Sequence, residues 1–178
     1  MARIKTSVKP ITLLMDGNNR ITNSKEMEEH VVGYFHNNFG GNNNCLSNGL
    51  VAKVVPWLVS EEENVALTTM SLFDEIKKAV FDLNADSTPG PDGFRAHFYQ
   101  FFWDIVAEDV VSSVQEFFYI GVLVPNLNAN ILVLIPKIPG ASSMGDFRPI
   151  ALANFQLKIV TKILVERVTI ICMRIISP

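Results

Sequence analysis

Apolar and polar positions alternate with two different rhythms along the 178 residues. Ile131, Leu132, Val133, Leu134 and Ile135 form one short run rich in β-branched residues, and Phe147 to Leu152 forms another, so both predict extended segments. Pro139-Gly140 and the Ser142-Ser143-Met144-Gly145 cluster between them supply turn chemistry. A hairpin-like return would then bring Lys137, leaving the first run, close to Arg148, entering the second. Pro136 and Pro149 cannot donate to a central ladder, which restricts these strands to a sheet edge or to their own ends. Near the N-terminus, ITLLMDGNNRIT from Ile11 to Thr22 reads as a strand, an Asp-Gly-Asn-Asn turn and a short return.

Elsewhere the apolar spacing is helical. Met27, Val31, Tyr34 and Phe35 predict a helix capped by Ser24 and running to about Phe39. Gly40 to Gly49, GGNNNCLSNG, is a loop by composition. Ser60 with Glu63 and Ser71 with Asp74 both fit the capping-box spacing, so two helices follow, the second burying Ile76, Ala79, Val80 and Leu83. That second helix ends in the rigid loop Pro89-Gly90-Pro91-Asp92-Gly93. Phe94 to Tyr119 is helical in two pieces that bend near Trp103 to Ala107, with Val110, Val114, Phe117 and Phe118 inward and Gly121 as the stop. Asn154 caps a last long helix whose inward face is Ile159, Ile163, Leu164 and Ile171. The pattern predicts an α+β protein, mainly helical, with a small edge β-hairpin. It also predicts a lead-in segment over residues 1–59 and a main domain over 60–178.

Composition sharpens this picture in two ways. Hydrophobic residues make up 48% of the chain and charged residues only 19%, against a usual charged share of about 25%. The mean hydropathy is positive at +0.24, so the chain either buries a large core or reserves apolar surface for a partner. The net charge of −3 is unevenly spread. Residues 1–59 carry six Lys/Arg against four Asp/Glu, residues 60–119 three against twelve, and residues 120–178 six against two. The hairpin therefore lies in the basic third, where Lys as a point charge and Arg as a planar fork can grip a phosphate. On composition alone, solvated surface cations explain the same two residues.

Several other chemistries are excluded. Asp16, Asn18 and Arg20 suggest a calcium loop, but Ile21 stands where its glycine belongs and Met27 where its bidentate glutamate belongs. His30 and His36 fall on different faces of a helix, and Cys45 and Cys172 make neither a metal pair nor a disulfide framework. Asp104, Glu108, Asp109 and Glu116 form a solvated acidic face. Phe98, Tyr99, Phe101, Phe102 and Trp103 surround a helix, which points to core or a subdomain interface rather than base stacking. Lys158 above Lys162 is a like-charge pair that either solvent or a nearby polyanion would accommodate. The apolar run Ile11 to Met15 is too short for a signal peptide, and Glu166, Arg167 and Arg174 interrupt the apolar C-terminal segment. A soluble intracellular protein, not secreted and without a membrane partner, is expected.

With these residues in view, the chain resembles the front part of a plant-type reverse transcriptase from non-LTR, long-interspersed retrotransposons. The matching words are DEIKKAVFDLNADSTPGPDGF from Asp74 to Phe94, then FYQFFWDI, QEFFYIGVLVPNLNANILVLIPK, and DFRPIALANFQLKIVTKILVERV ending at Val168. The resemblance implies a partial fingers subdomain of an RNA-directed DNA polymerase, truncated before the palm. It implies that Lys137 and Arg148 approach the phosphates of the incoming deoxynucleotide or the template. It implies further that Pro89, Gly90, Pro91, Asp92 and Gly93 contact the template backbone, and that Lys158, Lys162 and Arg167 lie behind the hairpin as backbone contacts. The implied partners are an RNA template, a DNA/RNA hybrid, a deoxynucleotide and the missing palm, in nucleus or cytoplasm. The complete family enzyme uses Mg2+ held by palm aspartates. No Phe/Tyr-x-Asp-Asp word occurs in this chain, so neither a catalytic residue nor a cofactor or metal site is expected in it. Three outcomes stay open: a fingers fragment inactive alone, a non-catalytic nucleic-acid-binding protein, and a non-functional transposon remnant.

Overall fold

The computed structural model describes residues 11–41, 49–54, 56–123 and 125–176. Cys45 and most of the loop expected at Gly40 to Gly49 lie outside the described residues. The elements in order are β1 (Leu14–Asp16), β2 (Asn19–Ile21), α1 (Ser24–Phe39), α2 (Leu50–Val54), α3 (Glu61–Thr68) and α4 (Phe73–Asp82). They continue with α5 (Ala96–Phe101), α6 (Trp103–Ile120), β3 (Asn130–Pro136), β4 (Phe147–Ala153) and α7 (Phe155–Ile175). The chain is α+β and mainly helical, with two two-stranded sheets, β1-β2 and β3-β4. No described helix is long and apolar enough to cross a membrane.

Packing groups the residues differently from the division at residue 59. One unit joins Met1–Asn48 to Leu134–Ile150, and the other joins Gly49–Val133 to Ala151–Pro178. In the first unit, Gly17-Asn18 turns β1 into β2 with Gly17 at φ +58°, a conformation that glycine adopts without a Cβ penalty. The register pairs Leu14 with Ile21 and Met15 with Arg20. Leu14 and Ile21 are buried with Met144 and Phe147, and Met27, Val31 and Phe35 of α1 cover them. The cap of α1 is Asn23 rather than Ser24: the Asn23 Oδ1 accepts from the Lys25 and Glu26 amides at 2.9 and 3.2 Å. Asparagine is as good a cap as serine, and here the chain turns one residue earlier.

The second unit is built on α4, α5, α6 and α7. Ile76, Ala79 and Val80 of α4 meet Val110 and Val114 of α6 and Phe155, Ile159, Val160 and Ile163 of α7 in one core. The helical stretch expected from Phe94 to Tyr119 does split, and the break falls at Phe102, immediately ahead of the expected bend. Tyr99 stacks on Phe155 with ring centroids 4.2 Å apart, and Trp103 is buried, whereas Phe101 and Phe102 are exposed. Gly121 ends α6 at φ +67°.

The two capping boxes part company. Ser60 and Glu63 make theirs, the Ser60 amide donating to Glu63 Oε2 at 2.9 Å and the Glu63 amide to Ser60 Oγ at 3.2 Å. Ser71 makes none: α4 begins after Leu72 without a side-chain cap, and Ser71, fully buried, accepts from Arg167 instead.

Candidate nucleic-acid interface

The hairpin positions its cations by alternation. Side chains of a strand point to opposite faces in turn. Leu134 and Phe147 turn into the core of the first unit. Arg148 follows Phe147 directly and Lys137 stands three residues beyond Leu134, so both take the opposite face, and both are exposed. The Lys137 amide donates to the Asp146 carbonyl at 2.7 Å, which sets Lys137 within two residues of Arg148 at the loop end.

The loop between them consumes its own acid. Asp146 Oδ2 accepts from the Ser142 and Ser143 amides at 3.3 and 3.0 Å, holding the single 3-10 turn at Met144–Asp146. The Ser142 carbonyl accepts from the Met15 amide at 2.8 Å, so β1 braces the loop. Lys137 Nζ donates to the Gly145 carbonyl at 2.7 Å, a neutral acceptor that orients the ammonium without cancelling its charge. The Arg148 guanidinium has no hydrogen bond or ion pair with any described residue. Two cations without an ion-pair partner among the described residues thus share one solvent-facing surface.

The other residues singled out in the sequence belong to the second unit and are committed within it. The Pro89–Gly93 loop is a clasp on the start of α7. Asp92 Oδ2 accepts from the Phe155 amide at 3.2 Å and Oδ1 from the Phe94 amide at 3.1 Å. The Asp92 amide donates to Asn154 Oδ1 at 3.0 Å. Asn154 therefore does not cap α7 with its own side chain, as the sequence suggested; Asp92 caps it from 63 residues away, and Asn154 fastens the clasp. Gly90 is buried against the backbone of Ala153 and Asn154, where a Cβ would collide with main-chain atoms. Pro91 and Gly93 keep exposed surface, and Gly93 sits at φ +75°.

Lys158 Nζ donates to the Thr88 carbonyl at 2.5 Å. Lys162 pairs with Glu166 at 2.9 Å, and Lys78 bridges Glu166 and Asp82 at 3.1 and 3.0 Å. Lys162 first and Lys78 second hold the Glu166 carboxyl below the usual glutamate range. The like-charge strain expected between Lys158 and Lys162 is thus relieved inside the chain.

Arg167 is a hub. Its Nε and one Nη2 hydrogen form a fork on Glu75 at 2.8 and 2.7 Å, the Nη1 pair donates to the Leu67 and Thr69 carbonyls at 3.1 and 2.7 Å, and Nη2 also reaches Ser71 Oγ at 3.0 Å. All five guanidinium donors are used. The ring of Phe118 lies 4.8 Å below the guanidinium carbon. Arg167 has no donor left for a phosphate.

Among the described residues no three His, Cys, Asp or Glu side chains converge as a metal ion requires. The Asp92 clasp and the Arg167 hub were not visible in the sequence, because each joins residues more than 60 positions apart. Pro-Gly-Pro-Asp-Gly marked a tight turn, and nothing local marked what it would hold.

No family model matches the chain. It is similar to the transposon TX1 uncharacterized 149 kDa protein of Xenopus laevis, with 31% identity over 121 residues, 68% of this chain. The likeness covers 9% of that protein. It supports a transposon-related origin for the chain.

Proposed function

We propose that this chain is the fingers portion of the RNA-directed DNA polymerase of a non-LTR retrotransposon. In this reading it holds the template strand and the phosphates of an incoming nucleotide through Lys137 and Arg148. The observation that carries the reading is the pairing of these two cations on one exposed face, with Asp146 turned away into backbone amides. The transposon likeness supports the element, and the matching words from Asp74 to Val168 support the polymerase.

The chemistry asked of the site is electrostatic. Arg148 offers a planar fork that can take two oxygens of one phosphate, and Lys137, held over the loop by Gly145, offers a point charge beside it. Cations fixed before the ligand arrives stabilise phosphate charge without reorganising solvent. Lys158 and Arg167 serve by fixing α7, and the Pro89–Gly93 loop meets the template only along its exposed Pro91 and Gly93 edge. The chain alone binds and positions; joining nucleotides belongs to the rest of the polymerase.

Fluorescence anisotropy with a short labelled single-stranded RNA tests this. Binding weakens with salt, and the K137A/R148A variant, folded like the wild type, lowers the slope of log K against log salt by about 1.4, two single-strand phosphate contacts. Equal slopes for variant and wild type would overturn the assignment.

A further inference from the structure

Beside the hairpin loop, the first unit carries a third cation that the hairpin reading does not use. Met15 of β1 is bridged to Ser143 of the loop in parallel register and is paired to Arg20 of β2 on its other side. Arg20 therefore lies two strand spacings from Ser143, about 10 Å between backbones. Leu14 and Ile21 turn into the core, so their neighbours Met15 and Arg20 turn out of it, on the side of the ladder that Ser143 of the loop shares. The Arg20 guanidinium has no hydrogen bond or ion pair with any described residue and is exposed.

The nearby acids are turned elsewhere. Asp16 takes the face of Leu14 and lies 3.9 Å from His30 Nδ1. Asp146 is spent on the Ser142 and Ser143 amides. Glu28 and Glu29 line an open groove on α1 with Lys25, Val32 and His36, away from the Met27, Val31 and Phe35 stripe that packs on the sheet. Strand alternation has sorted the charges of this unit, leaving three cations turned out from its core.

We infer that Arg20 is a third phosphate-binding side chain beside this loop, so that the ligand is a run of successive phosphates along one polynucleotide strand. This rests on the function proposed above and adds a third contact along the strand held there. Two cations at the loop end suffice for one nucleotide, whereas a third set two strands away matches a charge that repeats along a backbone.

The test compares two probes on the full chain: a labelled single-stranded RNA, and inorganic tripolyphosphate as a compact anion. R20A is expected to lower the RNA salt slope by about 0.7, one single-strand contact, with unchanged Tm and unchanged tripolyphosphate affinity. K137A/R148A weakens both probes. R20Q, which keeps the stem and loses the charge, repeats the result if R20A lowers Tm. A wild-type slope in R20A and R20Q, with the loop variant still impaired, would overturn the role of Arg20 and leave the hairpin reading standing. Equal loss of tripolyphosphate binding in R20A would overturn the strand assignment. Absence of salt-dependent RNA binding by the wild type would remove the hairpin reading and Arg20 with it.

Discussion

Arg167 shows how much one side chain can hold together. Its guanidinium closes the linker before α4 by gripping the Leu67 and Thr69 carbonyls, Ser71 and Glu75 at once. Lysine keeps the charge but has three donors on a round ammonium, so R167K cannot reproduce the fork. R167A leaves partly buried acceptors and Glu75 unpaired, and is expected to cost about 3 kcal/mol in urea unfolding, with R167K recovering less than half. The same pair sets a pH dependence. The Arg167 hydrogen bonds hold the Glu75 carboxyl below its ordinary value, against the opposing effect of burial. A carboxyl depressed in the folded state adds stability above its unfolded pKa and loses it as pH falls through the folded pKa. Tm should therefore be level near neutrality and fall below about pH 5. E75Q should start lower at pH 7 and fall less steeply; an identical acid slope would show that Glu75 is not the group being titrated.

At the scale of elements, α7 is started by a loop far away in sequence. The Asp92 carboxylate caps it and Gly90 lets the two backbones touch. D92A is expected to cost 1 to 2 kcal/mol, roughly the value of a helix cap plus the loop's own Asx bond. G90A should cost roughly 2 kcal/mol, since the obstructing atoms are main chain and cannot rotate away. A denaturation midpoint unchanged in both variants would mean the clasp is open in solution. These elements also show what a sequence can disclose. The runs at 131–135 and 147–152 mark β3 and β4 closely: three β-branched residues carry the first, and Phe147 and Ile150 the second, because strand preference follows from side-chain shape. Ser60 and Glu63 are legible because both halves of the box lie within one turn. Ser71 has the same spacing and fails, because a half-buried arginine 96 residues away competes for its hydroxyl. Local spacing proposes a cap, and tertiary neighbours decide whether the group is free to make it.

Across the molecule, charge and apolar surface are distributed with different purposes. In the second unit Lys78, Lys162, Arg167 and Arg174 all pair with glutamates. In the first unit Arg20, Lys137 and Arg148 have no carboxylate partner among the described residues. The basic third of the sequence pointed to the hairpin, but could not show that half of its six cations pair, from α7, with glutamates or that Arg20 lies beside the loop. The composition's surplus of apolar residues is partly met by the cores and partly left on the surface: Val165, Val168, Cys172, Met173 and Ile176 line one open groove on α7. Hydrogen-deuterium exchange of the full chain with and without a short single-stranded RNA tests the central claim most directly. The account predicts slowed exchange over residues 14–21 and 137–148, with the outer face of α1 and the apolar groove of α7 unchanged; protection on either of those surfaces, with the hairpin loop exchanging as before, would contradict it.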